Sequence, residues 1–253
     1  MAGYAAAGLS GWSYRAVECA EIDLPALVEG LGPEWAGLSL TMPLKEVALG
    51  VADRSSPVAA AIGAANTLVR RPDGSWYADN TDVPGMVRVL REAGVADGPR
   101  VTVLGAGGTA RAALAAAAAL ASPLVTVVAR RPEAIDALRP VAAAVDVPMD
   151  AAGWDDAAAA LDTDVVVSTV PKGVADPLAE SSPWRAGGVV FDALYDPWPT
   201  PLAAAAAAAG ARVVSGLDLL LAQAIGQFEQ FTGVSPAPET AMRHALREAA
   251  NRR

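Results

Sequence analysis

The stretch RVTVLGAGGTARAALAAAAAL, residues 100–120, decides the fold of this chain. A short β-branched run at 101–104 enters a glycine turn and leaves it as an alanine-rich helical pattern. The turn, GAGGTA at 105–110, has the spacing G-x-G-x-x-A. Gly105 permits the tight turn, and Gly107 lets backbone approach a pyrophosphate. Gly108 completes the loop, and Ala110 lets helix and strand pack closely. The helix N-terminus then faces phosphate charge. The glycines alone are a weak motif; the strand-turn-helix setting is what points to a nucleotide.

Further apolar runs follow in LVTVVARRPEAIDAL (124–138), TDVVVSTVPKG (163–173), GGVVFDALYDP (187–197) and ARVVSG (211–216), with helical segments between several of them. This is the β-α-β rhythm of a parallel sheet covered by helices. Upstream, WSYRAVEC (12–19) and AGLSLT (36–41) read as strands. DLPALVEGL (23–31), PLKEVALGVA (43–52) and SSPVAAAIGA (55–64) read as helices, the last capped by Ser56. NTLVRRPDGSWYADN (66–80) reads as a hairpin through Pro-Asp-Gly, and TDVPGMVRVLREAG (81–94) as a helix closed by Gly94. The chain ends in two helices. The expected organisation is an α/β protein of two domains. A doubly wound, Rossmann-like nucleotide domain at 87–216 is inserted in a first domain formed by 1–86 and 217–253.

Composition narrows the function. The 253 residues carry a net charge of −9, which disfavours nucleic acid as a partner. Hydrophobic content is 53% and mean hydropathy +0.31, but much of that is alanine. The alanine tracts at 115–119 and 203–209 are too short to span a bilayer. With no leader pattern, a cytoplasmic chain without membrane association is expected. One cysteine, Cys19, excludes an internal disulfide, and one histidine, His244, reads as a helix-surface residue, so no metal site is expected. The expected partner is a small molecule; monomer and homodimer both stay open.

After the second strand of the nucleotide domain come Arg130 and Arg131, where an NAD site usually has a carboxylate for the ribose hydroxyls. Two guanidiniums suit a 2′-phosphate, so NADP is the expected cofactor. Hydride transfer to a ketone also needs a proton donor. A histidine pair, a zinc site and Tyr-x-x-x-Lys are all absent from the sequence. Lysine remains. Of nineteen cationic side chains seventeen are arginine, which does not release its proton; Lys45 and Lys172 are the exceptions. Lys45 falls in the first turns of a predicted helix, where the dipole favours proton release. Asp82 is a candidate carboxylate partner. On residues alone, Lys45 reads equally well as a surface cation and Asp82 as a helix cap.

Together these pieces resemble the shikimate dehydrogenase family over nearly the whole chain. GLSLTMPLKE (37–46) is similar to its Gly-x-Asn-Val-Thr-x-Pro-x-Lys, IGAANTLV (62–69) to its Gly-Ala-x-Asn-Thr, and DNTDVPG (79–85) to its Asn-Thr-Asp-x-x-Gly. LYDPWPTPL (194–202) and GLDLLLAQAIGQFEQFTG (216–233) resemble two later motifs. The resemblance implies reversible, NADP-dependent reduction of 3-dehydroshikimate to shikimate, in aromatic amino-acid biosynthesis. It implies Lys45 as acid-base group with Asp82 as partner. Asn66 and Gln223 would bind ring hydroxyls, Thr41 would line the pocket, Tyr195 would reach the substrate, and Gly216 would approach the nicotinamide. Two alternatives are an NAD-dependent quinate/shikimate dehydrogenase and a nucleotide-binding pseudoenzyme.

The sequence also departs from the family. Ser39 replaces an Asn, Ala129 and Arg131 replace the polar neighbours of Arg130, Leu219 replaces a Met and Ala224 a Gly. MAGYAAAGL at the front resembles the helix that follows a Ser-x-Ser-Pro segment in the family. Without that segment a central strand is expected to be missing. The substrate carboxylate is expected to lose hydrogen bonds of about 1.5–3 kcal/mol each.

Overall fold

The computed structural model describes residues 1–252. The alternation of apolar runs and helices between 100 and 216 produces a six-stranded sheet. Its strands are β5 (Val101–Leu104), β6 (Val125–Ala129), β7 (Met149–Gly153), β8 (Val165–Ser168), β9 (Val189–Asp192) and β10 (Arg212–Ser215). All pair in parallel, in the order β10-β9-β8-β5-β6-β7. The strand order reverses between β5 and β8, and the carboxyl ends of strands at such a switch point are where doubly wound folds bind ligands. β5, β8 and β9 are buried along their whole length, as a sheet covered on both faces requires. β7 gave no apolar run because it is an edge strand, Met-Asp-Ala-Ala-Gly, with mostly exposed side chains.

Four more strands form a separate mixed sheet: β1 (Gly37–Ser39), β2 (Arg54–Ser55), β3 (Thr67–Arg70) and β4 (Trp76–Asp79), in the order β1-β3-β4-β2. β3 and β4 are the expected hairpin. Asp73 ties its turn by accepting from the Ser75 amide at 3.0 Å and the Ser75 hydroxyl at 2.6 Å. Ser56 caps the Pro57–Ile62 helix, its Oγ accepting from Ala59 N–H at 3.1 Å. Leu24, Val28, Leu40, Leu44, Ala48, Leu68 and Trp76 form the core beneath this sheet. The chain divides into two compact units. One holds Met1–Ala60, Ala64–Thr81 and the residues from Leu220 onward; the other holds Ala61–Gly63 and Asp82–Leu219. The helices Gly216–Thr232 and Glu239–Ala250 end the chain, with His244 exposed on the second.

Two local expectations are corrected. Residues 12–19 form no strand: their side chains are almost all exposed, and among the described residues no strand pairs with them. An extended segment becomes a strand only when a neighbour takes up its N–H and C=O groups. Residues 43–52 form no α-helix. A turn over 42–46, with Leu44 N–H donating to Thr41 C=O at 2.8 Å, leads into a 3₁₀ helix, Val47–Gly50. The apolar spacing that suggested a helix serves instead to place Leu44 and Ala48 in the core. The dipole argument for Lys45 falls with the helix.

Candidate active site

The first unit collects its polar residues around Asn66. Asn66 is 1% exposed and sits at the entrance to β3. Three donors converge on its Oδ1: Thr67 Oγ1 at 2.8 Å, Thr81 N–H at 2.8 Å and Thr81 Oγ1 at 3.1 Å. An oxygen so saturated sets the amide's orientation, because a flipped amide would bring N–H against N–H. The Nδ2 group is left to donate, and one partner is Gln223 Oε1 at 3.4 Å. Gln223 is itself placed by its Nε2, which donates to Leu220 C=O at 3.0 Å.

Lys45 joins this cluster through the backbone. Its C=O accepts from Ala65 N–H at 2.7 Å, so the lysine turn is stitched to the residue preceding Asn66. Leu40 N–H donates to Asn66 C=O at 2.7 Å, which places Thr41 against the same segment. Leu44 is buried, Lys45 half-buried and Thr41 exposed, a gradient that carries the two polar side chains from core to surface. Thr41, Lys45, Asn66 and Gln223 are therefore brought together within one unit. Two buried side chains were not singled out from sequence: Gln227, 5% exposed, and Thr81, 2% exposed. Gln227 lies one helical turn beyond Gln223, and that spacing was the available signal.

Asp82 belongs to the second unit. It opens the Asp82–Glu92 helix and is 5% exposed. A carboxylate in a first turn suits the helix dipole. In the same unit, Gly105 has φ +103°, the left-handed region that favours glycine. Ala110 is fully buried, as close helix-strand packing requires. Gly107 is the N-cap of the Gly108–Ala119 helix, and no side chain caps that end. A Cβ on Gly107 would meet nothing within 4 Å. Protein packing does not demand glycine there; a ligand pressed against the backbone would. The open loop, the helix N-terminus behind it and the exposed guanidiniums of Arg130 and Arg131 just past β6 fit a dinucleotide with a 2′-phosphate.

Ser168, Asp192 and Ser215 lie side by side at the carboxyl ends of β8, β9 and β10. Asp192 is 1% exposed. Its Oδ2 accepts from Thr200 Oγ1 at 2.7 Å and its Oδ1 from Leu194 N–H at 3.1 Å, so one carboxyl holds both ends of the loop that carries Tyr195. Burial raises the Asp192 pKa above its ordinary 3.8; the Thr200 and Leu194 donors draw it part of the way back. Ser168 Oγ lies near enough to bias the carboxyl but closes no well-formed hydrogen bond among the described residues.

The raised pKa means the folded state keeps a proton that the unfolded chain releases. Asp192 thus favours the fold at low pH, and that contribution is lost as pH rises from the unfolded pKa through the folded one. Asp192→Asn is expected to flatten this part of the stability profile, read as urea midpoints from about pH 4 to about pH 7. An unchanged slope would remove Asp192 as its source.

Gly216 is the remaining candidate in the second unit. Its N–H donates to Leu194 C=O at 3.1 Å, directly before Tyr195. A Cβ there would overlap the carbonyl oxygen of Ala193. Tyr195 is 39% exposed.

Comparison with known proteins gives the family and the fold. Residues 1–68 match the family model of the shikimate dehydrogenase substrate binding domain, and residues 216–247 match that of the shikimate 5'-dehydrogenase C-terminal domain. The shikimate dehydrogenase (NADP(+)) of Anaeromyxobacter sp. (strain K) is 42% identical over 216 residues, covering 84% of this chain and 76% of its own length. The crystal structure of Mycobacterium tuberculosis shikimate dehydrogenase superposes with a TM-score of 0.85 at 46% identity, covering 98% of this chain and 91% of that one. The shikimate 5-dehydrogenase of Thermus thermophilus, solved in complex with NADP(H) and shikimate, gives a TM-score of 0.82 at 31% identity, covering 98% and 93%. With identities at this level over most of both chains, this protein belongs to the shikimate dehydrogenase family.

Proposed function

We propose that this chain is an NADP-dependent shikimate dehydrogenase, interconverting 3-dehydroshikimate and shikimate, with its substrate domain at 1–86 and 217–253 and its NADP domain at 87–216, the short stretches 82–86 and 217–219 packing with the NADP unit. One observation carries the reading beyond family membership. The sole lysine of the first unit is tied through its C=O to the backbone beside a buried Asn66 whose amide orientation is set by three donors. That pairs a proton source with a fixed hydrogen-bond donor, the equipment for holding a ring oxygen while its charge changes.

NADPH supplies the hydride when bound. Lys45 would give one proton to the ring oxygen that becomes the new hydroxyl, and would take it back in the reverse direction. The family resemblance gives Asp82, at the head of the Asp82–Glu92 helix, the role of the reaction's carboxylate. Asn66 Nδ2 and Gln223 would orient the ring hydroxyls and Thr41 would line the same surface; the family resemblance gives Tyr195, on the loop held by Asp192, a substrate role. Gly105, Gly107, Gly108 and Ala110 would receive the pyrophosphate and Arg130 and Arg131 the 2′-phosphate, and the family resemblance places Gly216 near the nicotinamide. Positioning and charge stabilisation supply most of the rate. The substrate is a small molecule; among the described residues no helix is long and apolar enough to cross a membrane.

The test is oxidation of shikimate and of quinate by the purified chain with NADP⁺ or NAD⁺, followed by reduced-nicotinamide absorbance. NADP⁺-dependent turnover of shikimate is expected. Removing both guanidiniums, Arg130→Ala with Arg131→Ala, is expected to raise the KM for NADP⁺ by about tenfold or more while the KM for NAD⁺ stays put. Equal losses with both cofactors would place the arginines elsewhere than at the 2′-phosphate.

A further inference from the structure

We infer that Gln227 is a positioning residue for substrate binding, setting the polarity of the hydrogen-bond chain that ends on Asn66. The inference rests on the reading of Asn66 as a substrate contact. Gln227 is buried, and each polar atom of its amide has a partner. Ser39 Oγ donates to its Oε1 at 2.8 Å. Its Nε2 donates to Asn66 C=O at 3.0 Å and to Thr67 Oγ1 at 3.1 Å. Thr67 Oγ1 in turn donates to Asn66 Oδ1 at 2.8 Å.

Direction matters in this chain. A threonine hydroxyl has one hydrogen. Because Gln227 fills an acceptor site on Thr67, that hydrogen is spent on Asn66 Oδ1. Were the Gln227 amide turned over, its oxygen would face Asn66 C=O, and Thr67 would donate to Gln227 instead. Asn66 would then lose one of the donors that keep its oxygen inward and its Nδ2 available. The Asn66 C=O, which can only accept, prevents the turn by holding Nε2, and Ser39 then supplies the donor to Oε1. The pair Ser39 and Gln227 thus orients Asn66 from behind.

Three variants test it: Gln227→Glu, which keeps the shape but cannot donate as a carboxylate, Ser39→Ala, and Ser39→Thr, which keeps the hydroxyl. Gln227→Glu is expected to raise the KM for shikimate by about tenfold, with kcat within about threefold and NADP⁺ affinity unchanged. Ser39→Ala is expected to raise it by about threefold, Ser39→Thr to restore it, and Ser39→Ala to add nothing in the Gln227→Glu background. Should Gln227→Glu fail to fold, the Ser39 pair carries the test alone. An unmoved shikimate KM in Gln227→Glu and Ser39→Ala, with the wild type active, overturns this inference and leaves the proposed function standing. So does a fall in melting temperature with KM, kcat and NADP⁺ affinity drifting together, the mark of a merely structural glutamine. A wild-type chain that does not turn over shikimate overturns both.

Discussion

Lys45→Met is expected to lower kcat for shikimate oxidation by about 10²–10⁴-fold, the range by which a positioned proton-transfer group accelerates reaction. NADP⁺ affinity should hardly change, since the lysine belongs to the first compact unit and the glycine loop to the second. The turn itself should persist. It depends on the Lys45 carbonyl receiving Ala65 N–H and on the anchoring of Leu44 and Ala48, none of which involves the ammonium. Lys45→Arg is the sharper variant. It keeps the positive charge, but a guanidinium does not release its proton at neutral pH. If charge alone served catalysis, Lys45→Arg would retain most of the activity. If proton transfer does, it falls with Lys45→Met. A Lys45→Met chain turning over at the wild-type rate would end the assignment.

The second large effect separates two glycines by what surrounds them. At Gly216 a methyl group would overlap the Ala193 carbonyl oxygen, with its carbon 2.7 Å away and Tyr195 Cδ1 3.1 Å away. The first two are backbone, so no side chain can swing aside. Gly216→Ala is expected to cost about 2–3 kcal/mol of stability, as overpacking does, and to shift the loop bearing Tyr195. Gly107→Ala should behave in the opposite way. Nothing in the protein lies within 4 Å of the new methyl, so the stability loss should stay under about 1 kcal/mol, the effect of a poorer N-cap. NADP⁺ affinity, however, should fall by about tenfold or more, because the methyl takes space the pyrophosphate needs. Urea unfolding and NADP⁺ titration of both variants read the contrast. A Gly107→Ala chain with unaltered affinity would move the phosphate away from this loop.

Much of this was legible in residue order. The strand-turn-helix at 101–119, the hairpin through Asp73, the Ser56 cap and the two closing helices are local devices, each encoded within about a dozen residues. Local rules failed where tertiary partners decide. Residues 12–19 have strand-like composition, yet a strand exists only by pairing. Residues 43–52 have helical spacing, yet the chain uses those apolar positions to turn into a core. β7 was missed for the reverse reason: its polar composition hides a strand that its neighbour β6 holds in register.

The sequence alone carried the resemblance to the family, the alternation of strands and helices in the parallel domain and the candidate residue types: a lysine where arginine is otherwise the rule, a glycine turn after β5, guanidiniums after β6. These follow from side-chain chemistry and short-range geometry, which the linear order carries. The role of Gln227, the saturation of Asn66 and the burial of Asp192 came only from the folded chain. Each depends on groups such as Ser39 and Gln227, 188 residues apart, meeting within hydrogen-bond distance. A hydrogen bond reaches about 3 Å and has no memory of sequence separation, so only packing could decide which of these polar groups would meet.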